Sequence, residues 1–122
     1  MIGYVTLGTN DLKRAAAFYD AIAAEMGTKR MMEYETFIAW GDPGGAAGIG
    51  LTKPFDGNAA TVGNGVMVAL AAKDRAQVDR LYNLALSLGA KDEGAPGDRG
   101  GGFYAAYFRD PDGNKLNAFI MG

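Results

Sequence analysis

The chain has 122 residues, 48% of them hydrophobic and 21% charged, which is the composition of one ordinary folded domain with no room for two independent cores. Its formal charge is −2 and its isoelectric point is near 5.0, so it offers no basic footprint for nucleic acid or an anionic membrane. Cysteine and histidine are both absent, which excludes disulfides, thiolate nucleophiles, cysteine–zinc and iron–sulfur centres, serine–histidine triads and histidine-based zinc or iron sites.

Residues 2–8 are rich in β-formers and read as a strand, with no basic n-region and no long apolar run to suggest a signal peptide. Nowhere does the chain approach the ~18 consecutive apolar residues of a membrane helix, so a soluble, cytoplasmic protein is expected. Thr9 or Asn10 is placed to cap a helix over 11–26, where Leu12, Ala16, Tyr19, Ala23 and Met26 recur at helical spacing and Gly27 ends the run. Residues 31–34 and 36–40 have strand length, Asp42-Pro43-Gly44-Gly45 is a turn, and 47–52 is a further strand in which Gly48 and Gly50 alternate with Ile49 and Leu51. Residues 53–64 read as a connector.

The pattern then starts again. Residues 65–71 form a strand, and Asp74 with Gln77 makes a capping-box pattern for a helix whose stripe is Val78, Leu81, Tyr82, Ala85 and Leu88, ended by Gly89. A glycine-rich loop is expected through Gly102. Strands at 103–109 and 115–120 flank the tight turn Asp110-Pro111-Asp112-Gly113-Asn114. The helix-ending glycines, the first strands and the two Asp-Pro turns each repeat at about half the chain length, so each half reads β–α–β–β–β. Two such modules can pair so that their sheets curve around a shared cleft with the helices outside. A ferredoxin-like βαββαβ domain is the alternative, but it leaves the strand at 47–52 and the second Asp-Pro turn unused.

Three stretches carry a family likeness: Tyr4-Val5-Thr6-Leu7-Gly8-Thr9-Asn10-Asp11-Leu12 with Ala17-Phe18-Tyr19-Asp20; Gly63-Asn64-Gly65-Val66-Met67-Val68-Ala69-Leu70; and Tyr104-Ala105-Ala106-Tyr107-Phe108-Arg109-Asp110-Pro111-Asp112-Gly113-Asn114-Lys115-Leu116-Asn117. In these the chain resembles the vicinal oxygen chelate superfamily, which includes glyoxalase I, extradiol dioxygenases and bleomycin-resistance proteins. The resemblance implies an α+β fold of two paired βαβββ modules (1–53 and 64–122, with a linker at 54–63) that form one curved, cleft-forming mixed sheet, and a homodimer. It also implies a divalent metal in the enzymes, held by histidine or glutamate on the first strand of each module and by glutamate on the last strand. The matching positions here are Tyr4, Met67 and Asn117. A phenol, a thioether and a neutral amide make a poor site for a divalent ion, so no metal or other cofactor is expected.

Strand alternation assigns the remaining faces. The aliphatic sets Val5 and Leu7; Val66, Val68 and Leu70; and Leu116, Ala118 and Ile120 belong against the helices. The mixed sets leave an aromatic, amphipathic lining of Tyr4, Thr6, Met67, Tyr107, Asn117 and Phe119, joined by Trp40, suited to a flat, moderately polar organic molecule. A dry core in which Tyr4 and Asn117 satisfy each other is the competing arrangement. Lys115 stands at the rim, where it can meet a carboxylate or remain a solvated lysine. The run from Gly97 to Gly102 is either a connector or an anion-binding nest or lid. Glu25, Glu33 and Glu35 are the remaining bases, none with an acid partner in the sequence.

The expected function is therefore metal-free binding of a small, partly aromatic molecule, of the bleomycin-resistance type. Two alternatives stand beside it: a glyoxalase-, lyase- or dioxygenase-like enzyme with unusual chemistry, and a non-catalytic interaction domain with a filled cleft.

Overall fold

The computed structural model describes residues 1–122. It has two helices and two four-stranded mixed sheets, an α+β architecture in which the element order of the first half is repeated in the second. The chain divides into two compact units, Met1–Val62 and Gly63–Gly122. Neither helix is long and apolar enough to cross a membrane.

The first unit contains β1 (Tyr4–Gly8), α1 (Leu12–Glu25), β2 (Arg30–Glu33), β3 (Phe37–Trp40) and β4 (Gly48–Thr52) in the sheet order β1-β4-β3-β2. β1 runs parallel to β4, and the β2–β3 and β3–β4 pairs are antiparallel. Asp11 caps α1 in place of the expected Thr9 or Asn10, its carboxylate accepting from the Arg14 N–H at 3.0 Å. Thr9 acts one step earlier, accepting the Asp11 N–H through its hydroxyl. Gly27 follows the helix at φ 79°, a left-handed conformation that glycine adopts without strain. The helix buries Ala15, Phe18, Tyr19 and Ile22 against Leu7, Ile38, Trp40 and Leu51 of the sheet.

The second unit contains β5 (Val68–Ala71), α2 (Arg75–Ser87), β6 (Lys91–Asp98), β7 (Phe103–Arg109) and β8 (Lys115–Met121) in the order β5-β8-β7-β6. β5 lies parallel to β8, and the other two pairs are antiparallel. Asp74 caps α2 by accepting the Gln77 N–H at 2.8 Å, while the Gln77 side chain accepts the Lys73 N–H. Val78, Leu81 and Ala85 are buried with Leu70, Phe108, Leu116 and Ala118.

One expectation is corrected. The glycine-rich stretch before Gly102 is not a loop throughout, because residues 91–98 pair along β7 as an edge strand. Pro96 fits there because an edge strand has a side on which no ladder hydrogen bond is required. Within each unit the apolar side chains gather in a helix-on-sheet layer.

Candidate functional site

Each sheet has a helix on one face only, and the opposite face carries most of the residues singled out by alternation. In the first unit the register places Tyr4 beside Gly48 and Thr6 beside Gly50, with Ala39 also opposite Gly50 and Phe37 opposite Thr52. The glycines of β4 lower the floor of this face. A Cβ at Gly50 would lie 2.5 Å from the Phe37 ring and 3.4 Å from Thr6 Cγ2, and one at Gly48 would lie 2.9 Å from Met31 Cε. Phe37 thus rests on bare backbone, and Tyr4 meets it edge-on at 6.2 Å between centroids. Tyr4 is 53% exposed.

Trp40 does not join this face. It points the other way, 3% exposed, tilted against the Tyr19 ring at 5.6 Å with its indole N–H donating to Asp20 at 2.8 Å. Trp40 shares strand parity with Ile38, and both turn to α1; the indole N–H obtains its partner from the helix. Asp20 also accepts from Arg30 at 2.9 Å through both carboxylate oxygens, and Arg30 pairs with Glu33 as well. The Arg30 hydrogen bonds, helped by the Trp40 N–H and opposed by partial burial, hold the Asp20 carboxyl below its ordinary range. A surface groove of about 730 Å³ lies beside this cluster, lined among others by Lys13, Asp20, Arg30, Glu33, Tyr34 and Lys53. None of the predicted lining residues borders it, and Arg30, its one arginine, is already neutralised by two carboxylates.

In the second unit the open face is built by β6, β7, β8 and β5. Tyr107 pairs with Asn117, Ala105 with Phe119, Arg109 with Lys115, and Ala69 with Asn117 from the other side. Phe119 stacks on Phe103 at 5.7 Å. Asn117 is 1% exposed, and its Oδ1 is buried without a hydrogen-bond partner. A buried carbonyl left unpaired costs about 1–3 kcal/mol, so Asn117 is the most costly polar group on this face. Lys115 Nζ and the Arg99 guanidinium stand 5.6 and 5.5 Å from the centre of the Tyr107 ring. Met67 precedes β5, in an irregular segment, and is 42% exposed.

Arg109 binds Glu93, and this lowers the Glu93 carboxyl against a smaller opposing effect of burial, with Lys115 adding to the lowering. Tyr104 donates to Asp79 at 2.7 Å on the helix side, which raises the phenol pKa. Below the sheet, Asp110 organises the β7–β8 turn, one carboxylate oxygen accepting the N–H groups of Asp112 and Asn114 and the other the Asn114 side-chain amide. Phe37 is not among the residues that alternation singles out, and Arg99 falls in a stretch expected to be a connector, nest or lid. The glycine alternation of β4 was a usable signal for the first, since a glycine floor requires a neighbour to fill it.

This arrangement, a βαβββ unit repeated with an Asp-Pro-Asp-Gly-Asn turn before the last strand, matches the profile of the Glyoxalase/Bleomycin resistance protein/Dioxygenase superfamily over residues 1–118. The chain belongs to that superfamily. It is similar to a glyoxalase/bleomycin resistance protein from Albidiferax ferrireducens T118, with 35% identity and a TM-score of 0.90 over 98% of this chain and 97% of that one. A glyoxalase/bleomycin resistance protein/dioxygenase family enzyme from Burkholderia phytofirmans PsJN shares the fold at 20% identity and TM-score 0.78, with 98% of each chain covered. So does a lactoylglutathione lyase from Agrobacterium tumefaciens, at 22% identity and TM-score 0.71 over 98% of this chain and 92% of that one. No curated protein matches.

Against the superfamily's expected metal, the donors at the three matching positions do not fit. Tyr4 offers an exposed phenol engaged with a phenylalanine, Met67 an exposed thioether, and Asn117 a neutral amide oxygen. No three His, Cys, Asp or Glu side chains converge where they could hold a metal ion.

Proposed function

We propose that this superfamily member binds a small, partly aromatic organic molecule through ring and amide contacts, with no divalent metal in the site. The supporting observation is Asn117. It stands on the last strand, where the superfamily resemblance implies a carboxylate ligand, and its buried carbonyl has no partner within the protein. An amide carbonyl there accepts a hydrogen bond from a neutral donor, whereas a divalent cation calls for charged or imidazole donors. Tyr107 and the Phe103–Phe119 pair supply ring surface around it, and Tyr4, Thr6 and Phe37 supply a second aromatic face in the first unit.

The test is elemental analysis of the purified protein together with thermal shifts against zinc, nickel, manganese and iron and against a panel of aromatic metabolites and drugs. The expected result is sub-stoichiometric metal, no stabilisation by the ions, and stabilisation by aromatic compounds. At about 100 times the dissociation constant a ligand adds about 2.7 kcal/mol. A stoichiometric transition ion, or a panel in which no organic compound binds, overturns the reading.

A further inference from the structure

Resting on that reading, we infer that the molecule held on the second sheet is an organic anion with an N–H or O–H donor close to its charged group. Arg99 and Lys115 receive the negative charge and Asn117 Oδ1 receives the donor.

Charge pairing inside the second unit leaves two cations beside one ring. The unit's carboxylates are engaged elsewhere: Glu93 by Arg109, Asp98 by Arg75 and the Gly100 N–H, Asp79 by the Tyr104 hydroxyl, Asp92 by the Tyr82 hydroxyl, and Asp74 and Asp110 by a helix cap and a turn, while Asp112 sits half-buried in that same turn. Arg99 and Lys115, like Lys73 and Lys91, have no carboxylate within salt-bridge distance, although the charge of Lys115 is felt by Glu93, which Arg109 holds. The overall acidity of the chain hides this, because the excess of acidic residues lies in residues 1–62 while basic and acidic side chains balance in 63–122.

The two cations are also seated. Lys115 approaches Tyr107 from the β8 side, and Arg99 approaches it from the β6 side. The guanidinium lies along two glycines of β6: a Cβ at Gly97 would fall 2.8 Å from Nη1, and one at Gly94 would fall 3.2 Å from Nη2 and 3.2 Å from the Tyr107 ring. Nη2 donates to the Ala95 carbonyl at 2.7 Å, which fixes the group and leaves its other N–H donors available. Asn117 is the cross-strand partner of Tyr107, so the unpaired carbonyl adjoins the ring on which both cations rest. Two cations and a lone acceptor around one phenol are complementary to an acid bearing an adjacent donor, and repel a cationic aromatic.

The test uses a matched set of simple aromatics, followed by calorimetry and by amide and side-chain NMR shifts. Anthranilate and salicylate carry both groups, benzoate only the charge, benzamide only a neutral donor, and benzylamine the opposite charge. Anthranilate or salicylate is expected to bind best, to shift the Asn117 side-chain resonances and to weaken as salt rises. Arg99→Gln and Lys115→Gln, at exposed and half-exposed positions, should each weaken binding about tenfold with unchanged circular dichroism, and Arg99→Lys should restore part of the loss. Asn117→Leu should remove the preference for anthranilate over benzoate. If benzamide or benzylamine binds as well as anthranilate, or if the two glutamine variants bind like the wild type, the anionic assignment is wrong while small-molecule binding stands. If none of the set and no other aromatic compound binds, both readings fail.

Discussion

Asp20 and Arg30 touch each other, yet they carry different weight. Removing Arg30 takes away two exposed pairs, with Asp20 and Glu33, each of the kind that contributes about 0–1 kcal/mol. Removing Asp20 also strands the indole N–H of Trp40, a side chain that is 3% exposed. Asp20→Ala is therefore expected to cost about 1–3 kcal/mol and Arg30→Ala clearly less, a difference that urea denaturation of the two variants resolves. Equal losses would mean that Trp40 finds another acceptor. The same bond explains why Trp40 was misplaced from the sequence. A tryptophan at the end of a strand, just ahead of a turn, carries no sign in the sequence of which face it takes, and only the position of Asp20 on α1 shows where the indole must point.

The alternation of glycine with isoleucine and leucine along β4 ties stability to the open face. At Gly50 an alanine Cβ would collide with the Phe37 ring, so Gly50→Ala should displace that ring and cost about 1–3 kcal/mol. In Phe37→Ala background the same substitution should cost much less, and a double-mutant cycle measures the coupling. Additive effects would show that the ring does not rest there. Most elements were legible because their signals are local: the cap at Asp74, stop glycines at 27 and 89, and the Asp-Pro-Asp-Gly-Asn turn. β6 was not, because Lys91-Asp92-Glu93-Gly94-Ala95-Pro96-Gly97-Asp98 has almost no apolar period and carries a proline. It is a strand by virtue of β7 beside it, and its glycines serve the Arg99 side chain. The repeat itself held the clue, since the first unit places a strand at the corresponding point. Along β7 and β8 strand alternation sets Ala106, Phe108, Leu116 and Ala118, which are buried with α2, apart from the positions between them. It could not show that Met67 falls outside β5, because strand ends depend on hydrogen bonds to neighbours.

At the scale of the whole chain, the absence of histidine shapes the response to pH. The carboxyls of Asp20, Glu93 and Asp98 are lowered in the folded state, chiefly by Arg30, by Arg109 and by the Gly100 N–H respectively. Groups shifted in this direction contribute stability above their unfolded pKa of about 4 and lose it as pH falls through the folded values. The Tyr82 and Tyr104 phenols are raised, the first mainly by burial and the second mainly by its bond to Asp79. Their contribution is present below about pH 10 and is lost as pH rises through the folded values. The melting temperature should therefore stay level between about pH 6 and pH 9 and fall on both sides, most steeply in acid. A step near neutrality in a pH series of melts would contradict this picture.

The division of labour across each strand has an evolutionary reading. Neighbouring positions on β7 and β8 alternate between holding α2 and facing outward, so inheritance acts on two nearly separate alphabets interleaved in one segment. On the proposed function, drift among the outward letters exchanges one cargo for another while the inward letters keep the lineage folded. A descendant with a new specificity should differ from this chain at positions such as 107, 115, 117 and 119 long before it differs at 106, 108, 116 and 118.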